Sequence, residues 1–526
     1  MATALNTPLL LALTGLLAVC GLLRSRSTSK GTSPLPPGPR AIPLLGNILQ
    51  LPLEHQHKTF AKWGQKFGDF IFAKFFTTPV LILNSLAVAQ DLLENRSSLY
   101  SDRPYFALLI DIVGWYPATP FLTYGDQWRR HRRWIHMWYS EKASLLKLRP
   151  ILRKETLTLL LQLIETPQDL SQHIRRYAAA LVTSSVFGRT ITSWDDEYFQ
   201  MTERAIHATT EAGSPAATLV DFVPFLKYLP SWFPGSAPID KARSVRGIVR
   251  NMIDSPYENV KSAMCQGSVK PSLVASLLDA NAHHISREDE EDIKGVAASI
   301  YSAGVDTTAV VLNTFILAMV LHPQVYKKAQ EEIDRIVGRS CLPSLEHRHL
   351  LRYLDCMIQE VYRWNPPVPL GVPHRLTQED SYRGYSVPTG TMIIPNIWRM
   401  GHQEEVYSDP KAFDPSRFES LDAQSGASKD PRQFVFGFGR RICPGRHFAD
   451  EAVWLAIAHI VATVDIAKGR DASGKLITPA ARFCSGFTSP PLDFICSITP
   501  RSTAAVKLVA DELGSMDNEE PGNSDS

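Results

Sequence analysis

Residues Phe436–Gly445 read "FGFGRRICPG": three glycines, two arginines and one cysteine within ten positions, followed from Arg446 by an apolar pattern of helical period. A structural cysteine is usually buried and inert and has no use for such a setting. A cysteine acting as an anion does, because cationic neighbours and a helix N-terminus lower a thiol's pKa from about 8.5. Glycines let backbone come close to something flat or bulky. The stretch reads as a loop that presents a thiolate to a large partner.

The rest of the chain frames that loop. Its 526 residues are 44% hydrophobic and 21% charged, with 37 prolines scattered along them, the composition of a folded protein. The formal charge of +2 gives no overall footprint for nucleic acid. Seven cysteines (20, 265, 341, 356, 443, 484, 496) are an odd number without C-x-x-C spacing. That argues against a disulfide framework or a zinc site and for a reducing compartment. Leu5 to Leu23 is uncharged and mostly apolar, about 28 Å long as a helix and so about one bilayer core. A cleaved signal peptide would begin with basic charge. Here Arg24, Arg26 and Lys30 follow the apolar run, which reads as a retained anchor with the remainder on the cytosolic side. "PLPPGP" (Pro34–Pro39) then reads as a stiff connector. The expected division is an anchor over 1–23, a basic and proline-rich linker over 24–40, a catalytic body over 41–505, and an acidic, disordered tail over 506–526.

Within the body, "FIFAKFF" from Phe70 and "VLIL" from Val80 read as strands, and "YRGYSVPTGTMIIP" (Tyr382–Pro395) as two strands around a Pro-Thr-Gly turn. Helical periodicity covers roughly 86–95, 126–138, 141–164, 196–212, 240–263, 290–321, 324–337, 346–364 and 446–464. Val296–Leu321 is apolar enough for a membrane span. It contains Asp306 and Asn313, however, and a central aspartate costs about 2.5 kcal/mol or more in lipid, so a core helix is expected.

Several short patterns carry chemistry weakly when taken singly. "AGVDTT" (Ala303–Thr308) puts a glycine, an acid and two hydroxyls inside an apolar helix, which predicts a local distortion lined with proton-handling groups. The bland alternative is a core helix with a satisfied aspartate. Glu360 and Arg363 in "QEVYRW" are three apart and able to pair, as most solvated surface pairs are. Arg417 lies in the proline-punctuated "FDPSRF". "WRRHRRW" (Trp128–Trp134) suits nucleic acid, lipid or a carboxylate-bearing ligand.

Their order along the chain decides among these. Trp128 and Arg132 (W-x-x-x-R), Ala303–Thr307 (A-G-x-D-T), Glu360 and Arg363 (E-x-x-R), Pro415–Phe418 (P-x-R-F) and Phe436–Gly445 (F-x-x-G-x-R-x-C-x-G) follow one another as in the cytochrome P450 family, which the chain resembles from its anchor to about residue 500. The wording "FGFGRRICPGRHFA" and "KYLPSWFPG" is similar to fungal microsomal members of specialised metabolism, including O-methylsterigmatocystin oxidoreductase-like monooxygenases. The resemblance implies a mainly α fold with a small β-sheet side, preceded by a single transmembrane helix. It implies haem b with Cys443 as axial thiolate to the iron. Gly439 and Gly445 would let the loop approach the porphyrin, and Phe436 would pack beside it. Trp128, Arg132, His374 and Arg441 would hold the propionates. Glu360, Arg363 and Arg417 would form a structural ion network, in which Ser416 stands where the family often has glutamate. Asp306 and Thr307 would deliver protons to bound dioxygen. Electrons would come from NADPH through a separate NADPH–cytochrome P450 reductase, at the endoplasmic reticulum membrane and with no nucleic acid involved.

The implied activity is oxidation of an apolar small molecule with O2, a tailoring step in terpenoid or polyketide biosynthesis. The rivals are a peroxide-using or isomerising haem-thiolate enzyme, a detoxifying monooxygenase of broad specificity, a haem sensor and a tethered binding module. The intact Asp306–Thr307 pair speaks against the first and the sensor. Expected pocket walls are Tyr105–Pro117, about 204–226, Ile300–Ala303, Val368–Val372 and Gly486–Pro490, mostly apolar, with Asp111 and Glu211 as the two acids able to meet an amine.

Overall fold

The computed structural model describes residues 33–214, 218–234, 236–281, 285–419 and 429–519. The anchor over Leu5–Leu23 lies outside them. Numbering the longer helices in chain order, α1 (Gln56–Phe67) precedes strands β1 (Phe70–Phe75) and β2 (Thr78–Leu83). Then come α2 (Asp126–Tyr139), α3 (Lys142–Glu165), α4 (Leu170–Phe187), α5 (Glu197–Ala212), α6 (Ala237–Cys265) and α7 (Leu273–Ala280). The core helix α8 (Arg287–Leu321) is followed by α9 (Pro323–Ile336) and α10 (Arg352–Trp364). Short strands β3 (His374–Arg375), β4 (Asp380–Tyr382), β5 (Tyr385–Val387) and β6 (Met392–Pro395) lead to the cysteine loop and α11 (Arg446–Thr463). Strands β7 (Val464–Lys468) and β8 (Cys496–Pro500) and helix α12 (Thr503–Glu519) end the described chain. Mainly helical with small sheets is the class expected.

Helix α8 starts where its sequence says it should. Ser286 and Asp289 form a reciprocal capping box, and Glu288, Asp289 and Glu290 set negative charge on the positive end of the helix dipole. It stops at His322, where Pro323 opens α9. Among the described residues it is the one helix long and apolar enough to cross a membrane. Its side chains are buried along nearly the whole length against α4, α10 and α11 in the main apolar core, as a core helix requires.

One sheet runs β1-β2-β6-β3, with β2 and β6 parallel and the other pairs antiparallel. It is covered on both faces. Phe70, Leu81, Leu83 and Ile393 enter one apolar cluster, and Ile71, Val80, Ile82, Met392 and Ile394 enter another. That is why its strands read as unbroken apolar runs instead of alternating ones. Both strands expected within Tyr382–Pro395 exist, but they do not pair with each other: β5 pairs with β4, and β6 joins the larger sheet.

Two expected boundaries move. The proline-rich stretch is docked from Pro34 onward: Pro34 and Pro37 carbonyls accept from Ser386 and Phe72, and a side chain at Gly38 would strike the Phe72 carbonyl at 1.8 Å. The tail expected to be disordered from 506 is helical to Glu519, because Val509 is fully buried, Leu508, Leu513 and Met516 pack on the main core, and Glu512 meets Arg153 at 2.7 Å. The cysteines among the described residues are all free thiols.

Candidate active site around the Cys443 loop

The loop turns tightly on itself. Cys443 N–H donates to the Phe436 carbonyl at 2.8 Å, with Gly437 and Gly439 at φ of +77° and +52°. Gly439 is demanded by its neighbours, since a Cβ there would lie 2.0 Å from the Leu93 carbonyl oxygen. Its absent side chain lets the loop pack against the 91–95 turn. Gly445 caps α11 and has open space around it, and Phe436 packs edge-on against Tyr362.

Arginines surround the loop as expected, with a different electrostatic result. Burial pushes the Cys443 thiol above its ordinary value. The Gly445 amide and the charges of Arg132 and Arg446 draw it down without winning.

Three elements deliver the cations. From α2, Arg132 donates to the Ile442 carbonyl at 2.6 Å and lies over the ring of buried Trp128. From the loop, Arg441 lies 4.4 Å over the same ring and donates to the carbonyls of Ser101 (2.8 Å) and Leu122 (2.9 Å). Its Nη1 is buried without a partner. Arg103, which the sequence reading missed, is 5% exposed and donates to the carbonyls of Pro120, Val372 and Pro373. His374 on β3 is buried with Nδ1 2.8 Å from the Tyr100 carbonyl. Burial lowers the pKa of all four. Arg103 and Arg441 also depress His374, Arg441 and Arg132 depress Arg103, and Arg441 falls to about 9. The acid acting on this group is Asp102, which is engaged by Tyr124 N and Arg375. Two buried guanidiniums and the half-buried one of Arg132 beside one carboxylate leave positive charge uncompensated, which is costly unless a ligand brings anions. The chemistry of this set fits a large flat group with two acidic substituents.

On the other side stands α8. Thr307 Oγ1 donates back to the Ala303 carbonyl at 2.7 Å, and Ala303 and Thr307 are open in the middle of an otherwise buried helix. The expected distortion is absent: α8 runs through this segment as regular α-helix, and Gly304 is needed because a Cβ would meet Val182 of α4 at 2.7 Å. Asp306 turns away from Thr307 by the helical step of about 100°. It meets Arg175 of α4 at 3.1 Å, and Arg175 is held bidentately by Glu203 of α5 at 2.7 and 2.9 Å. Burial raises the Asp306 carboxyl, Arg175 opposes, and Glu203 adds to the rise.

Glu360 and Arg363, each fully buried, pair at 2.6 Å. Arg363 also donates to the carbonyls of Gly401, Pro410 and Ala412, while Arg417 lies 3.2 Å from Glu360. The network is structural, and the arginine alone supplies its third leg. At the expected pocket walls both acids are engaged: Asp111 by Lys227 at 2.6 Å and by Tyr105, and Glu211 by Lys241 at 3.2 Å.

Comparison with known proteins agrees with this geometry. The chain is 45% identical over 516 residues to cytochrome P450 monooxygenase 176 of Postia placenta, covering 98% of this chain and 99% of that one. It is 43% identical to monooxygenase 136 of the same fungus, over 96% of each chain. It is 39% identical to the cytochrome P450 monooxygenase claT of Ampulloclitocybe clavipes, over 94% of this chain and 97% of the other. Residues 36–491 match the family model described as cytochrome P450, and the chain belongs to the cytochrome P450 family.

Proposed function

We propose that this haem-thiolate monooxygenase binds its iron through Cys443 and its propionates through Trp128, Arg132, His374 and Arg441, with Arg103 as a further cation. The observation that carries the reading is the uncompensated charge of Arg103, Arg132 and Arg441, with the Nη1 of Arg441 buried and unpartnered. Phe436, Gly439 and Gly445 would shape the loop that offers Cys443 to the haem. Haem, when bound, supplies dioxygen activation with electrons passed from NADPH by a reductase. The chain's own part is to position, exclude water and move protons. Thr307 offers its hydroxyl to the open side of α8, and Asp306, held by Arg175, supplies the proton reservoir behind it.

The substrate is apolar. Of the acids at the pocket walls, Asp111 and Glu211 are engaged with lysines and Asp221 accepts from Leu108 N and Thr218, which favours an apolar substrate over an amine. A tailoring role in fungal secondary metabolism fits relatives from fungi. The body sits at the endoplasmic reticulum membrane on the anchor over Leu5–Leu23. In support, Leu49, Leu53, Phe225, Tyr228 and Trp232 are all more than two-thirds exposed. Phe222, packed on Phe75 and Phe76, joins the apolar cluster that also takes Ile48 and Leu51 beside the first of these exposed segments.

The deciding experiment is the spectrum of the reduced, carbon monoxide-bound protein, together with NADPH-dependent turnover in the presence of a reductase. Wild type should give a thiolate-type Soret band and Cys443→Ala none. Normal turnover in that variant would remove Cys443 from the site.

A further inference from the structure

Helix α2 has two polar faces. Trp128 and Arg132 face the cofactor site, whereas Gln127, Arg130 and His131 face Asp292 in the second turn of α8. Asp292 is fully buried. It accepts from Gln127 Nε2 at 2.7 Å and from the Arg130 guanidinium, and His131 Nε2 stands 3.1 Å from its Oδ1. His131 is itself fully buried, stacked on Trp134, with Nδ1 3.0 Å from Thr119 Oγ1, while its Nε2 meets Asp292 by proximity and not by an aligned hydrogen bond. Thr119 N–H donates to Ser299 Oγ at 2.8 Å, and the Ser299 hydroxyl donates to the Gly295 carbonyl at 2.6 Å, which returns the chain of contacts to α8.

The residues just after Thr119 explain why this matters. The Pro120 carbonyl accepts from Arg103 and the Leu122 carbonyl from Arg441. Arg130 already gives Asp292 a full countercharge, so neutralising that acid does not require His131. Beside the Ser299 contact, His131 adds a second tie, from the acid of α8 to the segment that anchors two of the three cationic side chains, on the same helix that carries the third. An acid, an imidazole and a hydroxyl in a row are also the parts of a nucleophilic triad. Here the Thr119 hydroxyl is packed in the interior at 6% exposure, so it is no nucleophile.

We propose that His131, with Asp292 and Thr119, is a positioning strut that sets Arg103, Arg132 and Arg441 against the acidic edge of the haem. The strut acts through those arginines and touches no reacting atom. Losing it loosens the grip on the cofactor and weakens the positive field at its edge. Nearby cations favour the reduced, less positive iron, so the midpoint potential falls.

The test uses the full-chain holoenzyme with three readings: the rate of haem transfer to apomyoglobin, the ferric/ferrous midpoint potential, and thermal unfolding. His131→Ala should lose haem roughly tenfold faster, the scale of lost outer-shell support, and shift the potential negative. His131→Asn, able to keep the Thr119 contact but too short for Asp292, should move both readings in the same direction by less. Leu152→Ala, a fully buried truncation on α3, should lower thermal stability with haem loss and potential unchanged. If both readings stay at wild-type values in His131→Ala, or if Leu152→Ala moves them equally at matched thermal destabilisation, His131 is ordinary core and the proposal is overturned. Should His131→Ala fail to accumulate as folded protein, His131→Asn decides by the same readings.

Discussion

At Cys443 burial and positive charge oppose each other, and burial prevails. A thiol so placed becomes a thiolate when a metal cation takes the proton's place, and what Arg132 and Arg441 hold is backbone, at the carbonyls of Ile442, Ser101 and Leu122. The cysteine and its glycines were legible because few functions need both in ten residues. Arg103 was not, since "SDRP" carries no periodic or motif signal and only the fold puts it beside Arg441. Thr307 and Asp306 were legible as a pair in sequence, yet they face different neighbours. A test follows at this scale. Thr307→Ala removes a hydroxyl bonded to its own helix, at a propensity difference below about 0.7 kcal/mol, so haem content and substrate affinity should be nearly unchanged. If the hydroxyl governs proton delivery, product formed per NADPH should fall at least about tenfold, the low side of lost acid–base assistance because water partly replaces it, with peroxide rising in proportion. Peroxide and product measured against NADPH consumed decide the point, and an unchanged ratio would leave Thr307 a helix residue only.

Among the elements, those with one buried face were readable, and so were the enclosed α8 and α11, whereas α4 was not. Helix α10 shows its apolar stripe plainly, and α2 starts and ends where its pattern does, within a residue. In helix α4, Tyr177 to Val182 are all buried in succession, so no polar residue marks a period of 3.6 there. Helix α12 was misread for the opposite reason, its acids masking four apolar contacts with the core. Removing residues 502–526 should therefore cost about 3 kcal/mol or more, from Val509 and Leu513 at about 1.5–3 kcal/mol each, and lower the unfolding temperature. A truncated chain that melts like the full one would mean α12 is not docked in solution. The cysteine loop makes a sharper claim. Gly439→Ala combines a left-handed backbone with a Cβ 2.0 Å from the Leu93 oxygen, so the loop or the 91–95 turn has to shift. Strain of about 1–3 kcal/mol and reduced haem content are expected, whereas Gly445→Ala, at a φ of −92°, carries no such backbone strain.

For the whole molecule, the acid limb of stability is set by histidines buried neutral and away from the cofactor site. Burial lowers His459 to about 4, where its Nε2 meets the Pro343 carbonyl at 2.7 Å, and lowers His402 and His57 to about 3 each. In each case the folded pKa lies below the unfolded value of about 6.5, so between the two the unfolded chain binds more protons and stability rises with pH. The contribution is complete above about pH 6.5 and is lost on acidification towards pH 4 and 3, at about 1.4 kcal/mol per unit for each histidine once well below 6.5. The carboxylates held low by arginines, such as Asp355 beside Arg432 and Arg348 and Asp334 beside Arg501 and Arg339, lose their share only below their ordinary range near pH 4. Two stages are thus expected: an unfolding temperature that begins to fall near pH 6.5, then a steeper fall below pH 4. His459→Gln keeps a donor for the Pro343 carbonyl and cannot titrate, so it should flatten the first stage by about one histidine's share while leaving the second in place. A stability profile that is level from pH 7 to 5, or one that His459→Gln does not alter, would show that these histidines reach water when the protein is folded.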